Sequence, residues 1–238
     1  MKVAAYSGTR NLYPGMKAAY KSLLMHSDVD LIYLLIEDDE FPEELPDCVR
    51  AINVSNQKAH WSGTPNAESG FTYMALVRST YAFMFPWLSK LLSLDVDTIV
   101  EQDVSDLWEI SLNGYYFSAA PECMKSRGGK IYTNIGVCLY NLDALRDGKA
   151  EEVVRMLGTY RYQFLEQDAF NYQCQGKILP MDSAYNATLF TEKVKEPKIT
   201  HYAGYSDWQQ FDLVRKYRNI PLDEVMKAHE ECVKKHRI

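Results

Sequence analysis

Asp95 and Asp97 stand two residues apart at the end of an apolar run, Leu91-Leu92-Ser93-Leu94, and they carry the sharpest chemistry in the sequence. Side chains alternate along an extended chain, so the two carboxylates can point the same way while Val96 points into the protein. Two carboxylates so placed at a strand end can hold a hard divalent cation. Such a cation can bridge the two phosphates of a bound nucleotide and neutralise a departing one. The spacing alone is weak, because short motifs recur by chance and Asp28-Val29-Asp30 repeats this one. Position separates the two pairs. The first precedes an apolar run and reads as a turn and helix-capping element, whereas Asp95 and Asp97 follow one.

The segment Asp95-Val96-Asp97-Thr98 also fits the signature hhhhDxDxT of haloacid-dehalogenase-like phosphatases, in which the first Asp attacks phosphorus and the second is a general acid. That motif normally lies on the first strand of its domain, with a lysine and a second acidic motif downstream. Here it follows about the fourth strand, and no Gly-Asp-rich partner comes after it. The phosphatase is the runner-up reading.

The elements that must position this pair can be read from hydrophobic period. Residues 2–6, 31–36, 50–54, 90–94, 116–120, 137–141 and 177–180 read as strands, and 199–200 as a short one ending at His201. Residues 13–25, 71–85, 144–157 and 164–174 have helical spacing, and a terminal amphipathic helix spans about 222–236, with Pro221 before it. The polar stretch 55–70 reads as a long functional loop that could shape a pocket with His60, Trp61 and Asn66. This alternation predicts one α/β domain over 1–238, with ligands at the carboxyl ends of the strands. The terminal helix is expected to pack on that domain.

Composition narrows the function. A net charge of −6 argues against a general nucleic-acid binder. The basic end, Lys234 to Arg237, reads as a solvated helix terminus. Cys48, Cys123, Cys138, Cys174 and Cys232 form no CxxC pair, which fits free thiols in a reducing compartment. No stretch has the length of a signal-peptide core or a membrane span, so a cytoplasmic protein is expected.

Four further segments follow the Asp pair in order: Thr133-Asn134-Ile135-Gly136, Glu166-Gln167-Asp168, Leu179-Pro180-Met181-Asp182 through Asn186, and His201-Tyr202-Ala203-Gly204. With Arg78 they resemble the family 8 glycosyltransferases, a group that includes glycogenin and bacterial lipopolysaccharide hexosyltransferases. The resemblance runs from about residue 1 to 208. It implies a GT-A fold, with a Rossmann-like, mixed but mostly parallel sheet and flanking helices. It also implies a Mn²⁺-dependent enzyme, with Mg²⁺ as the alternative, that moves a hexose from a UDP-sugar with retention of configuration. By this resemblance Asp95, Asp97 and His201 are the metal ligands, and an imidazole beside two carboxylates suits Mn²⁺ better than Ca²⁺. Gln167 is the residue beside the anomeric carbon, flanked by Glu166 and Asp168, which complete the expected catalytic group as candidates for binding sugar hydroxyls. Asn134, Gly136, Gly204 and Arg78 contact the donor, and Tyr6, Ser7 and Asn11 occupy the nucleotide-binding position after the first strand.

Several of these residues have a plainer reading. His201 could cap a strand, Glu166 and Asp168 could be the acids favoured at a helix start, Gly136 could serve a tight turn, and Arg78 could snorkel from an apolar helix. Two departures stand out. The acidic residue usual after the first strand is absent. The family's His-x-x-Gly-x-x-Lys continues here as His201-Tyr202-Ala203-Gly204-Tyr205-Ser206-Asp207, with an acid where the diphosphate lysine belongs. Either Arg10, Arg78 or Lys198 substitutes for it, or the chain is a non-catalytic nucleotide-sugar binder. Glycan, lipid and protein acceptors all stay open, as do the donor sugar and the oligomeric state.

Overall fold

The structure is a computed structural model that describes residues 1–67, 69, 71–126, 128 and 130–237. In chain order the elements are β1 (Val3–Ser7), α1 (Tyr13–His26), β2 (Leu31–Ile36), β3 (Val49–Asn53), α2 (Gln57–Trp61), α3 (Tyr73–Val77), α4 (Tyr81–Met84), β4 (Lys90–Leu94) and β5 (Thr98–Val100). There follow β6 (Phe117–Pro121), β7 (Thr133–Asn141), α5 (Leu142–Arg146), α6 (Lys149–Thr159), α7 (Leu165–Gln173), β8 (Ile178–Pro180), β9 (Ile199–His201), α8 (Asp212–Asn219) and α9 (Leu222–His236).

The main sheet has seven strands in the order β3-β2-β1-β4-β7-β6-β8. β1, β2, β3 and β4 pair parallel, as does β6 with β8, while β7 runs antiparallel to both β4 and β6. Both faces are covered, so these strands are apolar along their length rather than alternating with polar residues. Alternation decides instead which layer each side chain joins. Ala4, Tyr6, Ile32, Leu34, Leu92 and Leu94 pack into the core on one face, with α1 and α8 residues such as Leu23 and Val214. Val3, Ala5, Tyr33, Leu35 and Leu91 pack into the core on the other, with Val77, Tyr81, Val153 and Phe170.

Several expectations change in detail. The helix over 71–85 is broken into α3, a 3-10 turn at Arg78–Thr80 and α4. Ser79 and Thr80 donate their hydroxyls to the carbonyls of Leu76 and Val77, at 2.6 and 2.7 Å, and such back-bonding competes with the regular ladder. The helix over 144–157 is two helices, α5 and α6, separated at Gly148, whose φ of 89° is left-handed. The strand expected over 137–141 begins earlier, at Thr133, so that Thr133 to Gly136 belongs to β7. The loop over 55–70 contains α2; Glu68 and Gly70 lie outside the described residues.

Two of that loop's named residues are structural. Trp61 is buried. Asn66 donates to the carbonyls of Leu157 and Tyr160 and accepts from the Tyr162 amide, pinning the loop to the end of α6. The Asp28-Asp30 pair caps no helix: Asp28 binds Lys2 and Arg237, and Asp30 accepts from the Lys2 amide at 2.6 Å. The basic end is therefore tied down rather than merely solvated, and His236 meets Asp103 at 2.8 Å. α9 packs on the domain as expected, with Val225 and His229 buried against α1. Strand β5 and helix α8 had not been read from the sequence.

Arg146 closes the exposed end of α4 from a distance. Its guanidinium donates to the carbonyls of Ala82, Phe85 and Leu88 at 3.2, 3.3 and 2.8 Å. Charge-assisted bonds of this kind lose about 1.5–3 kcal/mol when the donor is removed. Arg146→Ala is expected to lower the unfolding free energy in urea by that order while leaving ligand binding intact. An unchanged denaturation midpoint would show that the three carbonyls find other partners.

Candidate active site

The carboxyl ends of β1 and β4 open into a cleft of about 500 Å³, whose lining includes Ser7, Asp95, Asp97, His201, Asn134, Glu166 and Gln167. Asp95 and Asp97 follow β4 directly. His201 arrives from far along the chain because β5 and β9 pair antiparallel with Thr98 opposite His201. The Tyr202 amide donates to the Asp97 carbonyl at 2.9 Å and holds that register. His201 Nε2 then lies 3.2 Å from Asp97 Oδ1 and 3.6 Å from Asp95 Oδ2. One donor atom from each of the three falls within 4.8 Å of the others.

Three observations show that this group fits a divalent cation. The donor set, two carboxylates and an imidazole, suits Mn²⁺ or a similar metal. The tautomer suits it too. Asn186 spends its amide protons on Asn134, at 3.1 and 3.0 Å, so its Oδ1 accepts from His201 Nδ1 at 2.8 Å. In the neutral ring this puts the proton on Nδ1 and turns the Nε2 lone pair toward the two carboxylates, the tautomer that metal binding requires. Burial disfavours a charged His201, but the facing carboxylates outweigh it and raise its pKa. For Asp97, burial acts upward and is outweighed by His201, which draws its pKa down.

The third observation is Gly136. β7 bulges opposite β6, whose Ala119 and Ala120 pair with Cys138 and Asn134, and Gly136 sits within that bulge. A Cβ there would lie 2.2 Å from His201 Cε1 and 2.7 Å from Asp95 Oδ2. The glycine is therefore required by the space beside His201 and Asp95 and not by a turn.

Arg78 lies behind the Asp pair, buried, with Nη1 on Asp95 at 2.7 Å and Nη2 on Glu166 at 2.5 Å. Burial alone would lower its pKa, but Asp95 and Glu166 override this and hold the guanidinium firmly charged. Glu166 is buried as well, and desolvation pushes its pKa up to about 7 despite Arg78. Its Oε2 accepts no hydrogen bond among the described residues. Leu165, just before it, takes φ 45°, a strained value for a branched side chain, at the first position of α7.

Gln167 has both ends of its amide engaged. Nε2 donates to Glu122 Oε1 and to the Tyr132 hydroxyl, each at 3.1 Å, and Oε1 accepts from the Ile135 amide at 3.2 Å. Tyr132 in turn donates to Asp168 Oδ1 at 2.5 Å, and Asp168 Oδ2 accepts from the Phe164 amide at 2.8 Å.

Not every residue singled out in the sequence reaches the cleft. Tyr6 is buried with its hydroxyl on the Ala19 carbonyl, because alternation along β1 turns it into the core while Ser7 faces the cleft. Asn11 is exposed beside the mouth, bonded to Thr9. Asp168 is turned away, tying down the start of α7. Gly204 is on the lining.

Asp207 is exposed and does not line the cleft, whereas Trp208 does. Of the cations offered as substitutes, Arg10 is paired with Asp38 and Lys198 with Asp106 and Tyr185. Lys125, which the sequence did not flag, is a lining cation, 3.3 Å from Glu122 Oε2. Glu122 itself was also missed. The signal, a charge closing the apolar run Phe117-Ser118-Ala119-Ala120-Pro121, is one that many exposed strand ends share.

A sheet of this topology, with a carboxylate pair after its fourth strand and a metal-competent cleft above it, defines the GT-A class of glycosyltransferases. The chain belongs to glycosyl transferase family 8, whose model matches residues 3–209. The phosphatase reading of Asp95 and Asp97 falls with that assignment. Two curated relatives are a protein of Haemophilus influenzae named for glycosyl transfer, 27% identical over 49% of this chain, and the glycosyltransferase GlyF of Streptococcus pneumoniae, 23% identical over 88%. The chain spans 43% and 59% of their respective lengths. Among solved structures, the galactosyltransferase LgtC in complex with donor and acceptor sugar analogues matches 93% of this chain and 98% of its own, at 18% identity and a TM-score of 0.72. GlyE of S. pneumoniae matches 97% of this chain and 63% of its own, at 18% identity and a TM-score of 0.74. Among the described residues no helix is long and apolar enough to cross a membrane.

Proposed function

We propose that this chain transfers a hexose from a UDP-sugar to an acceptor hydroxyl with retention of configuration, using Mn²⁺ held by Asp95, Asp97 and His201. The observation that carries the reading is the convergence of those three donor atoms, within 4.8 Å, in a cleft that also holds Gln167 and Asn134. The bound cation would supply charge neutralisation to the departing diphosphate. Arg78 holds Asp95 in place from behind, at 2.7 Å.

Gln167 is the candidate beside the anomeric carbon. An amide makes a poor covalent intermediate, so its role is orientation and stabilisation of positive charge at that carbon. The C1–O bond to UDP breaks, the acceptor oxygen bonds C1 on the same face, and the acceptor proton passes to the departing diphosphate. Glu122 and Tyr132 hold the Gln167 amide with its oxygen in one orientation, and a fixed dipole needs no reorganisation during reaction. Glu166, Asn134 and Gly204 are proposed donor contacts. Cytoplasmic location belongs to the same reading.

Calorimetric titration of UDP- and GDP-sugars, with and without Mn²⁺, tests the donor and metal. Mn²⁺-dependent binding of a UDP-sugar is expected; silence across the panel at millimolar concentration rejects the reading. Gln167→Ala is expected to retain donor binding and lose about 10²–10³-fold in turnover, the range for removing a preorganised dipole. Full turnover in that variant would remove Gln167 from the reacting centre. Donor binding without turnover in wild type, across many acceptors, would instead mark a non-catalytic binder.

A further inference from the structure

Beneath Arg78 the sheet carries a row of small side chains. Ala5, Ser93, Cys138 and Ala119 are register partners across β1, β4, β7 and β6, and all four are buried. Alternation turns Ser93 to the face that holds Ala5, Cys138 and Ala119, since Leu92 and Leu94 pack on the other. A hydroxyl in the apolar run Leu91 to Leu94 has no reason in packing alone. On this same face five polar atoms find no hydrogen-bond partner among the described residues: Arg78 Nε, Tyr81 Oη, Ser93 Oγ, Tyr140 Oη and Glu166 Oε2. None of the five residues is more than 8% exposed.

The five belong to one place. Arg78 and Glu166 are paired through Nη2, and the Tyr81 and Tyr140 rings meet edge to face with centroids 6.1 Å apart. Burial pushes Tyr81 up to about 12 against the pull of Arg78 and of Ser93, whose hydroxyl faces it outside hydrogen-bond geometry. Burial raises Tyr140 as well, with Cys138, Arg78 and Glu166 all close enough to act on it. Buried polar groups are almost always bonded, so five unpaired ones gathered together call for a common partner.

We infer that this pocket holds ordered water, and that through it Tyr81 and Tyr140 are positioning residues for the Arg78–Glu166 pair. The water assignment is independent of the transferase reading, while its bearing on the metal site rests on that reading. Charge selects the ligand. The guanidinium repels a cation, and Glu166 with Asp95 repels an anion. Water accepts from Arg78 Nε–H, donates to Glu166 Oε2, and takes either role toward the three hydroxyls. A buried water makes about three such bonds, which these groups supply. The row of small side chains provides the room. Arg78 is then fixed on every side: by Asp95, Glu166 and the Ile135 carbonyl through its Nη atoms, and by water through Nε. Because Arg78 holds Asp95, loss of the water loosens one metal ligand.

Two crystal structures and one titration test this. In the wild-type chain, at a resolution that shows ordered solvent, water is expected within hydrogen-bond distance of both Arg78 Nε and Glu166 Oε2. Direct pairing of the five groups with one another, without water, overturns the inference. The double variant Tyr81→Phe/Tyr140→Phe keeps both rings and removes both hydroxyls. Its structure should lose the ordered water and show Arg78 displaced from Asp95. Its Mn²⁺-dependent UDP binding should weaken roughly tenfold, the lower end of the loss when a group behind a metal ligand is removed. A merely structural role would lower the thermal midpoint and leave both Arg78 and the binding as in wild type, and that result overturns the positioning role. Failure of the wild-type chain to bind UDP with Mn²⁺ rejects the transferase reading instead, and the two crystal structures then decide the pocket by themselves.

Discussion

Asp97→Ala is expected to abolish Mn²⁺-dependent UDP binding while the protein stays folded. The side chain supplies one of three converging donor atoms, 3.2 Å from His201 Nε2. Its removal leaves one carboxylate and one imidazole, too few to hold a hard cation against water. Loss of a residue that merely orients a metal ligand lowers affinity roughly 10–100-fold, so loss of a ligand should exceed that range. The architecture does not depend on the carboxylate. The β5–β9 register is held by backbone pairing and by the Tyr202 amide on the Asp97 carbonyl, which alanine keeps. Titration of UDP with and without Mn²⁺, beside a thermal unfolding curve, separates the two effects. Wild-type metal dependence in the variant would move the site elsewhere.

Gly136→Ala should have an effect of similar size although it removes no ligand and no charge. The added methyl carbon would stand 2.2 Å from His201 Cε1 and 2.7 Å from Asp95 Oδ2, well inside contact distance. Neither neighbour can retreat cheaply. His201 is held through Nδ1 by Asn186, and Asp95 is held by Arg78 at 2.7 Å. The glycine backbone is pinned as well, since its amide donates to Asn134 Oδ1 at 3.0 Å and its carbonyl accepts from Asp95 at 2.7 Å. The variant should therefore fold with His201 and Asp95 pushed apart, and Mn²⁺-dependent UDP binding should fall below detection. Ordinary binding would mean that β7 moves freely at its bulge, and the close packing of the site would lose its functional meaning.

These two residues mark different degrees of legibility. Asp97 could be found from a run of apolar residues and a two-residue spacing, both of which are local. Gly136 could be noticed, but its reason lay hidden, because what fills the space above a glycine is decided by residues distant in sequence. Tyr6 and Ser7 show a finer limit. Both follow the first apolar run, yet alternation sends one into the core and the other into the cleft, and the phase depends on which face the helices cover. Asp207 shows the reverse. An acid at a position where the family has lysine reads as a defect, and in the fold it is turned out of the cleft.

Most of the strands, most of the helices, the Asp pair and the α/β class could be read along the chain, because hydrophobic period and the residues that interrupt it act over a few neighbours. Family membership was legible for the same reason, as short segments in a fixed order. Packing between distant segments brings His201 on β9 to Asp95 and Asp97, sets Arg78 between Asp95 and Glu166, and gathers Glu122 and Tyr132 about Gln167. Those contacts join strands and loops far apart in the chain. Their energies depend on burial and on the partner each charge meets, and no local spacing records either.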